Sequence, residues 1–290
     1  MGVTPGRIRW SRHEEARVVA EYETLKIETR EGADWLSLDR PDSLNTVNKR
    51  MLAELHDYLD TLPARNDIRV IVLRGTGPLF CAGLDLGDQT AIDESGAQPD
   101  GYAMLTDQRE YSQLTIKMRR IPQPVVALVR GAAVGLGFSL AAAADIRIAS
   151  ETARFNAAFI KIGFSGGDCG SAYLLPRLVG SSVARELLMT GRFCNAARAL
   201  QIGLVSEVVA DDELEVAGES MVADLLFTGP TGLRLTKDLL NASESGMSLE
   251  EVIAMEDRNQ VYCALTGEPL EGLRAFKEKR APRYPSFRAP

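Results

Sequence analysis

Histidine is nearly absent from this chain: its 290 residues include only His13 and His56. Neither has a serine, cysteine or metal-ligand pattern beside it, which removes the common imidazole-based nucleophile and zinc motifs. Four cysteines (Cys81, Cys169, Cys194 and Cys263) lie far apart with no CxxC pair. They read as reduced thiols of a cytoplasmic protein, not as a disulfide framework or metal site. Positive charge is in deficit, with a formal net charge of -7, so no global field draws nucleic acid or an anionic membrane. Any phosphate-bearing ligand must be held locally, by backbone amides, helix starts or a few placed cations. Long apolar runs are missing too. The longest uncharged stretch, between Arg130 and Asp145, is rich in Gly and Ala and shorter than the about 20 residues that span a membrane. The segment through Arg17 carries four arginines and no apolar core, so residues 1–20 read as a flexible tail and not a secretory signal. P-loop and HExxH motifs are absent, and Gly135-Leu136-Gly137 lacks the third glycine of a dinucleotide fingerprint.

What is present is a hydrophobic content of 45%, ample for a large core, and an alternation of strand and helix patterns. Leu25, Ile27, Leu36 and Leu38 alternate with polar residues around Glu31-Gly32-Ala33, which predicts a hairpin. Met51 to Leu62 repeats apolar residues at helical spacing and feeds the β-branched run Arg69 to Arg74. Strand, turn and helix patterns recur at Val125 to Val129, Ile146 to Ala149 and Gly203 to Val209. One α/β domain built from ββα repeats, over 21–210, is the economical reading. Gly87 to Tyr102 lacks periodicity and predicts a long loop of the kind that forms lids. From Asp211 onward helical patterns dominate, with Leu214, Ala217, Met221 and Leu225 on one face and Leu233, Leu239 and Leu240 in the next stretch. Residues 211–290 therefore read as a C-terminal helical region.

Two segments share one design: an apolar strand, a glycine turn, then small residues expected to open a helix. The first runs from Val70-Ile71-Val72-Leu73 into Phe80-Cys81-Ala82-Gly83-Leu84-Asp85-Leu86. The second runs from Val125-Val126-Ala127-Leu128-Val129 into Gly131-Ala132-Ala133-Val134-Gly135-Leu136-Gly137. Glycine lets a ligand approach the backbone, and amides at a helix start have no partner within the helix. Two such turns facing one another can aim two N–H groups at one oxygen, the arrangement that stabilises an enolate or tetrahedral intermediate.

Together these segments resemble the signatures of the crotonase (enoyl-CoA hydratase/isomerase) superfamily. The resemblance extends through Leu38-Asp39-Arg40-Pro41 with Leu44-Asn45, Leu175-Pro176-Arg177, Met189-Thr190-Gly191 and Gly203-Leu204-Val205 to Glu278-Lys279-Arg280. It implies a crotonase-like spiral of ββα repeats with a C-terminal helical trimerisation region, assembled as a homotrimer or dimer of trimers. It also implies an acyl-CoA thioester as ligand, with coenzyme A part of the substrate and no permanently bound cofactor or metal. The implied oxyanion donors are the amides of Leu84 and Leu136. Ala82, Gly83, Leu84, Asp85 and Leu86, with Gly135, match positions along the CoA, and Phe276 and Lys279 match positions at its nucleotide end, often in a neighbouring subunit.

The pattern breaks at the two glutamates with which hydratases of this family move protons: those positions match Ser139 and Phe159. Neither side chain transfers a proton near neutral pH. Asp168, in a glycine-rich loop one residue longer than the family's, lies nine residues before Arg177, a spacing similar to the nucleophilic aspartate of 4-chlorobenzoyl-CoA dehalogenases. The loop is also similar to that of dihydroxynaphthoyl-CoA synthases. Two readings of Asp168 stand side by side: a helix cap before Ser171, and a carboxylate that acts as base or nucleophile on the thioester. The functions left open are a thioester enzyme working through an enolate, a hydrolase, isomerase or dehalogenase-like reaction using Asp168, and a non-catalytic acyl-CoA-binding protein.

Overall fold

The computed structural model describes residues 21–88 and 100–284. The expected tail over 1–20 and most of the expected loop lie outside the described residues. β1 (Leu25–Arg30) and β2 (Ala33–Leu38) form the predicted hairpin, pairing Ile27 with Leu36 and Leu25 with Leu38. Its turn residues Glu31 and Gly32 both have positive φ, which matches the right-handed twist of the flanking strands.

The chain then alternates helix and strand: α1 (Lys49–Thr61), β3 (Val70–Gly75), α2 (Gly101–Arg120), β4 (Val125–Val129), β5 (Ala132–Val134), α3 (Leu136–Ala143), β6 (Ile146–Ser150) and β7 (Arg154–Asn156). After these come α4 (Ser171–Val179), α5 (Ser181–Thr190), β8 (Cys194–Asn195), α6 (Ala196–Gln201) and β9 (Glu207–Val209). One sheet has the order β1-β2-β3-β4-β6-β9, parallel from β2 onward, and a smaller one has the order β5-β7-β8. Of the expected strand over Gly203 to Val209 only the last three residues pair, because Gly203 and Leu204 complete the turn that ends α6.

Parallel strands need crossovers that cover the sheet, so their residues are buried on both faces. Ile71 and Leu73 join the core beneath α1, α2 and α3, while Val70 and Val72 point the other way with Trp35, Val126, Leu128 and Ile148. That second face is sealed by α7 (Leu214–Leu226), whose Leu214 and Val222 are buried on it and whose Ala217, Met221 and Leu225 pack beside them. The first helix of the C-terminal region is thus part of the sheet's packing.

In α8 (Pro230–Glu244) Leu233 and Leu239 are half-buried and Leu240 is exposed, while Lys237 is buried together with Pro230 and Thr231. Its ammonium donates to the carbonyls of Met118 at 3.0 Å and Gln123 at 2.8 Å and pairs with Asp145 at 2.9 Å. Burial lowers its pKa, with the Asp145 charge acting against that shift. α9 (Leu249–Leu265) starts at a capping box between Ser248 and Glu251, and α10 (Glu268–Glu278) follows. Leu249, Val261, Leu265, Leu270, Leu273 and Phe276 are exposed on this pair. Among the described residues no helix is long and apolar enough to cross a membrane.

Candidate functional site

The first glycine segment does not open a helix as its pattern predicts; only a short 3-10 turn, Leu86–Asp88, follows it. Instead it runs extended, pairing with β5 through Cys81 and Ala133 and with the chain before α1 through Leu84 and Val47. In the latter bridge Val47 donates its N–H to the Gly83 carbonyl and accepts from the Asp85 N–H. Peptide groups alternate direction along an extended chain, so the Leu84 N–H points away from Val47. Among the described residues it meets no backbone acceptor. The second segment behaves as predicted: Gly135 precedes the first turn of α3, and the Leu136 N–H has no partner within the helix.

The two segments touch at their glycines. Gly83 has φ 109° and Gly135 φ 53°. A Cβ placed on either would lie 3.8 Å from the Cα of the other, and one on Gly83 would also come within 3.0 Å of the Val134 carbonyl. The conformation and the close approach both require glycine.

Both segments open on a cavity of about 560 Å³, to which Ala82, Gly83, Leu84, Leu86, Gly135 and Leu136 contribute. Its apolar walls are Met104, Leu105 and Tyr111 from α2, with Phe159, Ile162 and Phe164 opposite. Phe159 therefore stands in the cavity wall. Asp85, by contrast, does not line it. Its carboxylate accepts from the Arg40 guanidinium at 2.8 Å, which holds it below the usual aspartate range, and it braces the signature loop. Asn45 staples the same loop, accepting from the Arg40 amide and donating to the Thr76 and Leu79 carbonyls.

A second cavity of about 610 Å³ lies between α2, α4 and α8, away from the glycine segments. Of the cations that line it, Arg119 is engaged by Glu244 and Lys237 by Asp145.

Asp168 lines the first cavity, but it does not cap α4. Gly170, in the left-handed conformation, is the residue before that helix, and no side chain caps it. The Asp168 carboxylate folds back on the chain: its Oδ1 accepts from the Cys169 N–H at 2.7 Å and from Gln108 Nε2 at 2.6 Å. The backbone around it is clamped from three helices. Ser139 Oγ donates to the Asp168 carbonyl at 3.1 Å, Ser171 Oγ accepts from its N–H at 3.0 Å, and Thr115 Oγ1 donates to the Cys169 carbonyl at 2.8 Å.

Ser139 is fully buried and does not line the cavity, so its hydroxyl is placed to hold this loop and not to reach a bound acyl group. Burial, with the charge of Asp168 adding to it, pushes the Cys169 thiol well above its ordinary value. Burial likewise pushes Cys81 up to about 12. Both thiols are buried, and burial disfavours the thiolate form in each. Phe276, on α10, is exposed, and Lys279 ends that helix with φ 53°. Neither lines the cavity within one chain.

Sequence reasoning points to the helix after Tyr102 as shaping the acyl pocket but singles out no residue of it. Met104, Gln108 and Tyr111 line one face at helical spacing, and Asp107, paired with Lys49 at 2.7 Å, lies beside them. The four- and three-residue steps were available as a signal, but α2 follows a segment without periodicity, and nothing local says which cavity its face meets.

The chain matches the family described as enoyl-CoA hydratase/isomerase over residues 28–286. It is 34% identical over 253 residues to a 1,2-epoxyphenylacetyl-CoA isomerase of Escherichia coli K12, covering 87% of this chain and 95% of that protein. Among solved structures, an enoyl-CoA hydratase from Bacillus anthracis superimposes with a TM-score of 0.85 at 30% identity, covering 91% of this chain and all of that one. One from Mycobacterium smegmatis does so with a TM-score of 0.81 at 30% identity, covering 90% and 98%. Glycine segments that meet beside an apolar cavity, a matched span covering most of the sequence and these similarities lead to one statement: the chain is a member of the enoyl-CoA hydratase/isomerase family of the crotonase superfamily.

Proposed function

We propose that this protein binds an acyl-CoA thioester, takes a proton from C2 and stabilises the resulting enolate, with Asp168 as the proton-transfer group. The observation that carries this reading is the placement on one cavity of the Asp168 carboxylate and of two backbone amides, Leu84 and Leu136, that have no backbone acceptor among the described residues. With the thioester oxygen between those amides, the charge that develops on it is met by fixed N–H dipoles. Asp168 Oδ2 accepts the C2 proton, the C–H electron pair moves into the C1–C2 bond, and the carbonyl electrons move onto the oxygen. Return of the proton to C2 gives exchange, and its delivery to C4 of a suitable enoyl group gives isomerisation. A two-glutamate hydration is disfavoured, since Phe159 and Ser139 stand at those positions.

The same reading runs CoA along Ala82, Gly83, Leu84, Asp85 and Leu86 and past Gly135, and adds no resident cofactor or metal. Phe276 and Lys279 serve the nucleotide end of CoA in a neighbouring subunit of a trimer or dimer of trimers, in the cytoplasm. The exposed apolar faces of α9 and α10 support that assembly, and the repeated strand and helix units support the spiral architecture.

The test is deuterium incorporation at C2 of butyryl-CoA and phenylacetyl-CoA in D2O, read by mass, with crotonyl-CoA and longer enoyl-CoAs followed for product. Exchange that Asp168→Asn slows by about 100- to 10,000-fold, with thioester affinity kept, is the expected result. Saturable binding without exchange or turnover by the unmodified protein favours a non-catalytic acyl-CoA-binding protein instead. No binding of any thioester overturns both.

A further inference from the structure

We propose that Gln108 is a positioning residue that sets which oxygen of Asp168 faces the acyl group; this rests on the reading of Asp168 as the proton-transfer group. Gln108 stands on α2, sixty residues from Asp168, and its Nε2 reaches Asp168 Oδ1 at 2.6 Å. The Cys169 amide donates to the same oxygen at 2.7 Å. Both donations fall on Oδ1, which leaves Oδ2 as the oxygen for proton transfer in the cavity that Gln108 and Asp168 both line.

The chemistry of the donor matters as much as its position. A carboxylate oxygen held by a neutral amide keeps a fixed orientation with no ion pair at the site, whereas Arg or Lys at the same distance would engage the carboxylate as an ion pair. The acid next to Gln108, Asp107, is paired with Lys49. The grip on the loop repeats along the helix: Thr115, seven residues or two turns further on the same face, donates to the Cys169 carbonyl. α2 therefore fixes the loop's backbone through Thr115 and the orientation of its carboxylate through Gln108. Gln108 is itself exposed, so its hydrogen bond adds little to the core.

The test compares C2 exchange of phenylacetyl-CoA in D2O for the full chain, Gln108→Leu, Gln108→Met, Asp168→Asn and the double variant Gln108→Leu/Asp168→Asn. The expected result is a fall of about 10- to 100-fold in kcat for each Gln108 variant, the equivalent of one hydrogen bond to a charged group, with KM within about twofold. In the Asp168→Asn background Gln108→Leu adds no further loss, because the two side chains act as one unit. The inference is overturned if kcat is unchanged in both Gln108 variants, if KM alone rises, or if the losses multiply in the double variant. If Asp168→Asn exchanges as fast as the parent, the underlying reading of Asp168 fails first. If Asp168→Asn loses exchange and the Gln108 variants keep it, only the role of Gln108 fails.

Discussion

The hydroxyl of Ser139 donates to the backbone carbonyl of Asp168 at 3.1 Å, across 29 residues of sequence. Ser139 thus holds in place the loop that bears the Asp168 carboxylate. Ser139→Ala removes one buried hydrogen bond and leaves the carbonyl its bond from the Ser171 N–H, so a loss of about 1 kcal/mol is expected. Ser139→Glu forces a carboxylate into a site with no exposure, at a cost of about 3 kcal/mol or more. Urea unfolding of both variants checks this order. Restoring glutamates at 139 and 159 together is therefore expected to unfold the Asp168 loop before it creates hydration, and a folded double variant hydrating crotonyl-CoA would contradict the placement of Ser139.

Gly83→Ala tests the meeting of the two glycine segments. At φ 109°, with its Cβ 3.0 Å from the Val134 carbonyl, alanine must push the segments apart. Strain of about 1–3 kcal/mol is expected, together with displacement of the Leu84 amide. C2 exchange should fall by about 100-fold or more if that amide faces the thioester oxygen. Parental exchange in a destabilised but folded variant would count against the proposed role of Leu84.

Lys237→Met removes an ammonium that satisfies two carbonyls and the Asp145 carboxylate. Asp145 keeps the amide of Val125 but loses its close cation. A loss of about 1–3 kcal/mol is expected, because two carbonyls lose their donor while the half-buried Asp145 keeps only the Arg119 cation, at 3.7 Å. Thermal melting in which the variant matches the parent would show that α8 is held by its apolar contacts instead.

Glu54 predicts an acid-labile join between α1 and the start of β1. Burial pushes its carboxyl up, but donations from the Thr24 hydroxyl and the amides of Glu23 and Thr24, with Arg50 beside it, outweigh burial and hold it below its ordinary value of 4.5. A lowered folded value contributes stability above the unfolded value, and that stability is lost as pH falls through the folded one. The expected outcome is that Glu54→Gln is less stable than the parent at pH 7 and that the gap closes below about pH 4.5. Urea midpoints across that range check it; a gap independent of pH would assign the loss to packing.

The hairpin, the strands at Val70 and Val125 and the helix over Met51 to Leu62 were legible in the sequence because their information is local: period-two alternation, turn glycines and helical spacing. The two glycine segments were legible as well, since glycine at 83 and 135 signals a backbone conformation that other residues resist. Tertiary structure alone decided how each amide is freed. Leu136 is freed by a helix start, as its pattern suggested, but Leu84 is freed by a bridge to Val47, in a segment before α1. Tertiary structure also decided that Asp168 folds back on Cys169 and meets Gln108 instead of capping α4, that Ser139 is a clamp, and that Lys237 is the buried anchor of α8. Each of these depends on a partner distant in sequence, and a polar side chain's role is set by the acceptor or donor that the fold brings within about 3 Å of it.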